Sequence, residues 1–206
     1  MVVAARRLIV GLVSAGLLSG SAVAQEYVAK GACRDGAAQG VYELRDGQGR
    51  LRVLGAFNHG QRTGSFLFWT GNGVRVAHIP YDEGAINGTL SLWYSDPVGN
   101  EPPRKLEASY RANRLDGEKR SWHRNGRLRM RARYVAGELR SAQAWDQTGR
   151  RLDDAAAVAL ATRDLAEDDE YFASLDSMVK AHPPTCDNDP APVQRAGYDI
   201  RLARYA

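Results

Sequence analysis

Gly117-Glu-Lys-Arg-Ser-Trp-His-Arg-Asn-Gly126, followed by Arg127-Leu-Arg-Met-Arg-Ala-Arg-Tyr134, reads as strand, tight turn, strand. Asn-Gly between two alternating runs is a strong hairpin signal and predicts a type I′ turn at Asn125-Gly126, since both central residues of that turn need φ > 0. Beyond the turn, alternation places Leu128, Met130, Ala132 and Tyr134 on one face and Arg127, Arg129, Arg131 and Arg133 on the other.

Outward from this stretch the same unit recurs. Gly40, Gly64, Gly88, Gly117 and Ser141 form a column spaced 24, 24, 29 and 24 residues. Five residues on, Arg45, Trp69, Trp93, Trp122 and Trp145 form a second. Phe57, Tyr81, Tyr110 and Tyr134 form a third, and Gly60, Gly84, Asn113 and Gly137 follow it three residues later. Columns that agree on one period mark a repeat architecture. The third unit carries an insertion, Ser95-Asp-Pro-Val-Gly-Asn-Glu-Pro-Pro103, rich in turn formers. A repeat scaffold takes such an insertion in a loop, so it marks one rim as variable. Two strands per unit predict a mainly β fold: an elongated antiparallel meander of β-hairpin repeats over residues 40–152. Aromatic residues at repeat positions read first as cross-strand packing. The other reading is an exposed ladder that binds sugars or a partner.

Trp122-His-Arg-Asn-Gly126, Trp69-Thr-Gly-Asn-Gly73, Trp145-Asp-Gln-Thr-Gly149, Tyr81-Asp-Glu-Gly84 and Tyr134-Val-Ala-Gly137 resemble the bacterial MORN-type repeat variant, often catalogued as antitoxin-component repeat proteins. The resemblance covers residues 40–152. It implies a β-hairpin repeat sheet that mediates contacts with proteins or lipids, with an antitoxin- or immunity-like role as one form of that activity.

The flanks set the compartment. Arg6-Arg7, an apolar run from Leu8 to Leu18 and Ala22-Val23-Ala24 read as a secretory signal peptide over 1–24, cleaved between Ala24 and Gln25. No later segment is apolar for long enough to span a bilayer. A periplasmic or secreted chain of bacterial type is therefore expected. Residues 25–39 read as a short polar lead-in. Cys33 and Cys186 most simply form one disulfide in an exported chain, with free thiols or a shared metal as the alternatives. Closing so long a loop is worth about 4–5 kcal/mol in the chain-entropy model. His182 and Cys186 are too few for a zinc site.

After the repeats, Asp153-Asp154 are helix-capping residues and an amphipathic acidic helix is expected over 153–182, stopped by Pro183-Pro184. Its apolar stripe is read as Val158, Leu165, Phe172, Leu175 and Val179, with Glu167-Asp-Asp-Glu170 on the other side or at a break. A tail covers 183–206, where Tyr198, Ile200 and Leu202 alternate as an edge strand would. Loss of the leader lowers the formal net charge from +4 to +2. The balance is uneven: residues 104–151 carry 14 bases and 5 acids, a net +9, and residues 153–176 carry 8 acids and one base, a net −7. The acidic helix is therefore expected to pack on the sheet and partly neutralise the arginines.

No arrangement of chemistry-bearing residues stands out. The histidines at 59, 78, 123 and 182 occupy unrelated repeat positions, no serine is framed as a nucleophile, and the glycines follow the repeat period instead of forming a phosphate loop. The chain reads as non-enzymatic, with no metal or cofactor; an envelope enzyme without a named site is the low-ranked alternative. The candidate binding residues are Arg120, Arg124, Arg127, Arg129, Arg131 and Arg133. Guanidinium groups suit carboxylate and phosphate, so the candidates for a partner are an acidic envelope protein or, second, an anionic lipid surface. Nucleic acid is set aside by the expected export. The sequence does not specify an oligomeric state.

Overall fold

The computed structural model describes residues 26–96 and 102–186. The expected signal peptide, part of the 95–103 insertion and the tail from Asp187, with its alternation at 198–202, lie outside the described residues.

The strands are β1 (Tyr27–Arg34), β2 (Ala37–Asp46), β3 (Leu51–Asn58), β4 (Gln61–Trp69), β5 (Arg75–Asp82), β6 (Ala85–Ile86), β7 (Gly88–Trp93), β8 (Arg104–Arg111), β9 (Arg114–Trp122), β10 (Leu128–Val135) and β11 (Glu138–Ala144). They form one antiparallel sheet in chain order, with the short β6 paired only to β5. The sheet is open, with β1 and β11 at its ends. The lead-in is part of the scaffold: β1 pairs with β2 along its length. Gly36 stands 24 residues before Gly60, so the turn column already began there.

The two rims use different turns. At one rim the loops have two residues, both with positive φ: Asp35-Gly36, His59-Gly60, Glu83-Gly84, Ala112-Asn113 and Ala136-Gly137. These are the type I′ turns, and they follow the aromatic column. At the opposite rim, after the Trp column, Gly126 has φ 79° but Asn125 is not among the positive-φ residues. There Gly126 N donates to His123 O and His123 N donates to Arg127 O, both at 2.9 Å. This is a three-residue loop with a glycine bulge, which corrects the type I′ expectation at Asn125-Gly126. The same bonds recur at Asp46–Arg50, Thr70–Val74 and Asp146–Arg150. Side chains reinforce them: Asp46 Oδ1 accepts from the backbone N–H groups of Gln48 and Arg50, and Asp146 Oδ1 from those of Thr148 and Arg150.

One helix, α1 (Asp154–Ala181), crosses one face without a break. Asp153 caps it by accepting from Ala156 N at 2.7 Å, as its position predicts. Beneath its second half the core is thick: Tyr42, Leu44, Val53, Phe66, Phe68, Ile79, Leu90, Leu92 and Leu106 pack with Leu175 and Val179. Beneath its first half the core is thin, with Ala108, Ala132 and Ala161 around Met130 and Tyr134. Small side chains there bring helix and sheet close. Of the expected stripe, Leu175 and Val179 are buried and Leu165 and Phe172 pack against the core, but Val158 is exposed, and Asp164 and Asp168 are buried beside Ala157 and Ala161.

Past the helix the chain returns to β1. Tyr42 Oη donates to His182 O at 2.7 Å, the His182 ring lies 4.8 Å from that of Tyr27, and Cys33 is disulfide-bonded to Cys186.

Candidate binding surface

The helix divides the sheet into a covered and an open face. Along the middle of the open face, register aligns Lys30, Glu43, Leu54, Leu67, His78, Ser91, Glu107, Arg120, Arg131 and Gln143. Nearer the three-residue loops runs the tryptophan column. Phe68 and Ser121 are buried, so by alternation their neighbours Trp69 and Trp122 stand on the open face.

The tryptophans interleave with arginines. Arg75 is paired with Trp69 across β4 and β5 and stacks over Trp93, 4.7 Å from the ring centre. Arg104 pairs with Trp93 and lies over Trp122 at 5.9 Å, with Arg120 on the same ring at 6.0 Å. Trp145 bridges to Arg151. Delocalised guanidinium groups against indole faces contribute about 0.5–1 kcal/mol each at partly exposed sites. The Trp column thus packs as scaffold and carries charge along one rim, while Tyr81, Tyr110 and Tyr134 serve the covered face, Tyr81 and Tyr134 buried and Tyr110 half-buried against the core.

The six candidate arginines do not form one comb. Leu128 pairs with Trp122, but Met130 pairs with Ser121, so a bulge absorbs one residue and reverses the alternation. Leu128 and Met130 consequently lie on opposite faces. Arg129 turns to the helix, where Nη2 donates to Asp164 Oδ1 at 2.9 Å within a two-pronged pair. The helix thus neutralises Arg129 alone among the six, so the expected partial neutralisation is confined to that residue and the open face is left to the others. Arg127 donates to Thr148 O, and Arg124 pairs with Asp96 at 2.5 Å and stacks 4.8 Å from the Tyr94 ring centre. Arg120 lies 3.3 Å from Glu118 and 3.6 Å from Glu107, and Arg131 also pairs with Glu118. Arg133 is exposed and has no ion pair or side-chain hydrogen bond among the described residues.

Helix and sheet are tied by charges that sequence patterning did not single out. Lys119 Nζ lies 2.6 Å from Asp168 Oδ2, and Arg62 Nη1 lies 2.5 Å from Asp176 Oδ1. Burial pushes the Asp168 carboxyl above its usual range, with Lys119 opposing the shift. Burial acts the same way on Asp176, but hydrogen bonds from Lys180 and Arg62 outweigh it and hold that carboxyl low. The spacing Ala157, Ala161, Asp164, Asp168 was the available signal: it keeps helical i, i+3/i+4 steps through two aspartates.

On the open face Ser65 Oγ and His78 Nε2 are 2.9 Å apart. Burial, aided by Arg75, lowers the His78 pKa, which keeps the imidazole neutral near pH 7. Among the described residues no group of three His, Cys, Asp or Glu side chains gathers as a metal site, and no helix is long and apolar enough to cross a membrane. Against protein-family models, curated proteins and solved structures, the chain matches none.

Proposed function

We propose that this chain is an exported, non-enzymatic MORN-like repeat scaffold of the bacterial envelope that docks an acidic protein on its open sheet face. The observation that carries the reading is the asymmetry of the sheet: helix α1 seals one face, and the other presents Arg120, Arg131 and Arg133, the last without an ion pair among the described residues, beside a rim of Arg–Trp stacks. Tryptophan and arginine are the side chains that dominate protein interfaces, because they combine large apolar area with strong, directional donors. A disulfide and an apparent leader peptide support export. An immunity-like role towards an exported toxin and a role in envelope assembly both use such a surface.

The test is capture from envelope extracts by the mature protein, set beside the Arg131→Glu, Arg133→Glu double variant. One protein in stoichiometric amount, lost with the double variant, is the expected result. Binding instead to vesicles containing anionic lipid, with no protein captured, replaces this reading with the lipid one.

A further inference from the structure

The repeat stops part-way through a strand. After the Asp146–Arg150 loop, Arg151 bridges back to Trp145 and Leu152 N donates to Ala144 O at 2.9 Å. Those are the first rungs of a twelfth strand. Asp153 then caps the helix and the chain leaves the sheet. Beyond Leu152 the outer edge of β11 is unpaired among the described residues. Trp145 N donates inward to Arg129 O, so the backbone groups of Ala144 point outward, and by alternation so do those of Ala142. A groove of about 630 Å³ lies at this edge, lined on one side by Arg131 with its partner Glu118, Arg133 and Gln143 and on the other by Asp154 and Val158 at the helix start. Val158 is 48% exposed, whereas the other large apolar side chains of the helix are buried or half-buried.

We infer that the β11 edge accepts an extended segment of the partner as an added strand, with acidic side chains over Arg131 and Arg133 and aliphatic ones against Val158. The inference rests on the proposed docking face and names how the partner engages it. Strand addition draws affinity from main-chain hydrogen bonds and specificity from alternate side chains. Charge complementarity selects the occupant. Arg133 has no counter-ion among the described residues, and the strands around the groove belong to a stretch of net +9.

The probe is the capped peptide Glu-Val-Glu-Val-Glu-Val, titrated against the mature protein and followed by amide hydrogen exchange. Protection concentrated at the outward-pointing amide of Ala142 in β11 is expected, with roughly tenfold weaker binding to the Arg133→Glu variant. A version N-methylated at alternate residues keeps its charge but loses the donors and should not bind. Equal binding of the N-methylated peptide, or binding without protection of β11, overturns strand addition. If the peptide fails while Arg131 and Arg133 still govern capture of the envelope protein, strand addition falls alone; if capture is indifferent to both arginines, the docking face falls as well.

Discussion

Lys119 Nζ lies 2.6 Å from Asp168 Oδ2, with both residues almost wholly out of water, and the pair joins β9 to the middle of the helix. A buried ion pair has a large desolvation cost, so its net worth is small, but breaking one half of it is severe. Lys119→Ala should therefore lower stability by about 3–5 kcal/mol. Replacing both partners, Lys119→Met with Asp168→Leu, should restore stability to the original level or above. Urea unfolding of the two single variants and the double variant measures this. A double variant as unstable as the sum of the singles would contradict it.

Gly55 is set under the Phe66 ring. A Cβ built there would come within 2.6 Å of two ring carbons, and Phe66 is fully buried with aromatic neighbours at Phe57 and Tyr81. The ring has nowhere to go, so Gly55→Ala should destabilise by about 1–3 kcal/mol through overpacking, despite the usual preference of strands for Ala over Gly. Adding Phe66→Leu to it should recover part of the loss, since the smaller side chain vacates the site. Thermal unfolding of both variants is the readout.

These two sites show where sequence reasoning reached and where it stopped. The repeat columns placed the hairpins, because turns and cross-strand neighbours are local and recur. The turn types were not separable that way: Ala136-Gly137 adopts the conformation that Asn125-Gly126 advertises. Loop length decided it, since two residues between paired Val135 and Glu138 force positive φ even on alanine. The arginine comb failed at Arg129 because a single bulged residue inverts a period of two, and no residue type marks the bulge. Lys119 was hidden among six nearby arginines, and Asp168 read as part of an outward acidic run because charge is normally outside. Pairing of Lys119 with Asp168 and of Arg129 with Asp164 makes the burial tolerable.

His78 supplies a pH test. Its folded-state pKa is held below the unfolded value chiefly by burial, with Arg75 adding to the effect. Stability from the neutral ring is present above the unfolded pKa of about 6.5 and is lost as pH falls through the folded value. The melting temperature should thus decline more steeply below pH 6 in the native chain than in His78→Gln, which cannot take up the proton. Ser65→Ala, which removes the hydrogen-bond partner of Nε2, should lower the melting temperature at pH 7 without abolishing that pH response. Parallel pH profiles for native and His78→Gln chains would refute the assignment.

The disulfide joins residues 153 positions apart and ties the segment after the helix to the first strand of the sheet. Two effects of its removal are separable. Through the unfolded chain, opening so long a loop should cost about 5 kcal/mol overall. Through the folded state, the loss should be local, because the strap has its own contacts: Pro184 lies close over Gly31, and His182 receives the Tyr42 hydroxyl, whose pKa burial raises to about 12. In the Cys33→Ala, Cys186→Ala double variant, hydrogen exchange should therefore quicken first in β1 and in the last turns of α1. Strands β7 to β10 are flanked on both sides by paired neighbours and should slow the exchange of their amides until global unfolding. Uniform acceleration across the sheet would mean that the bond acts only on the unfolded chain and that the strap holds without it.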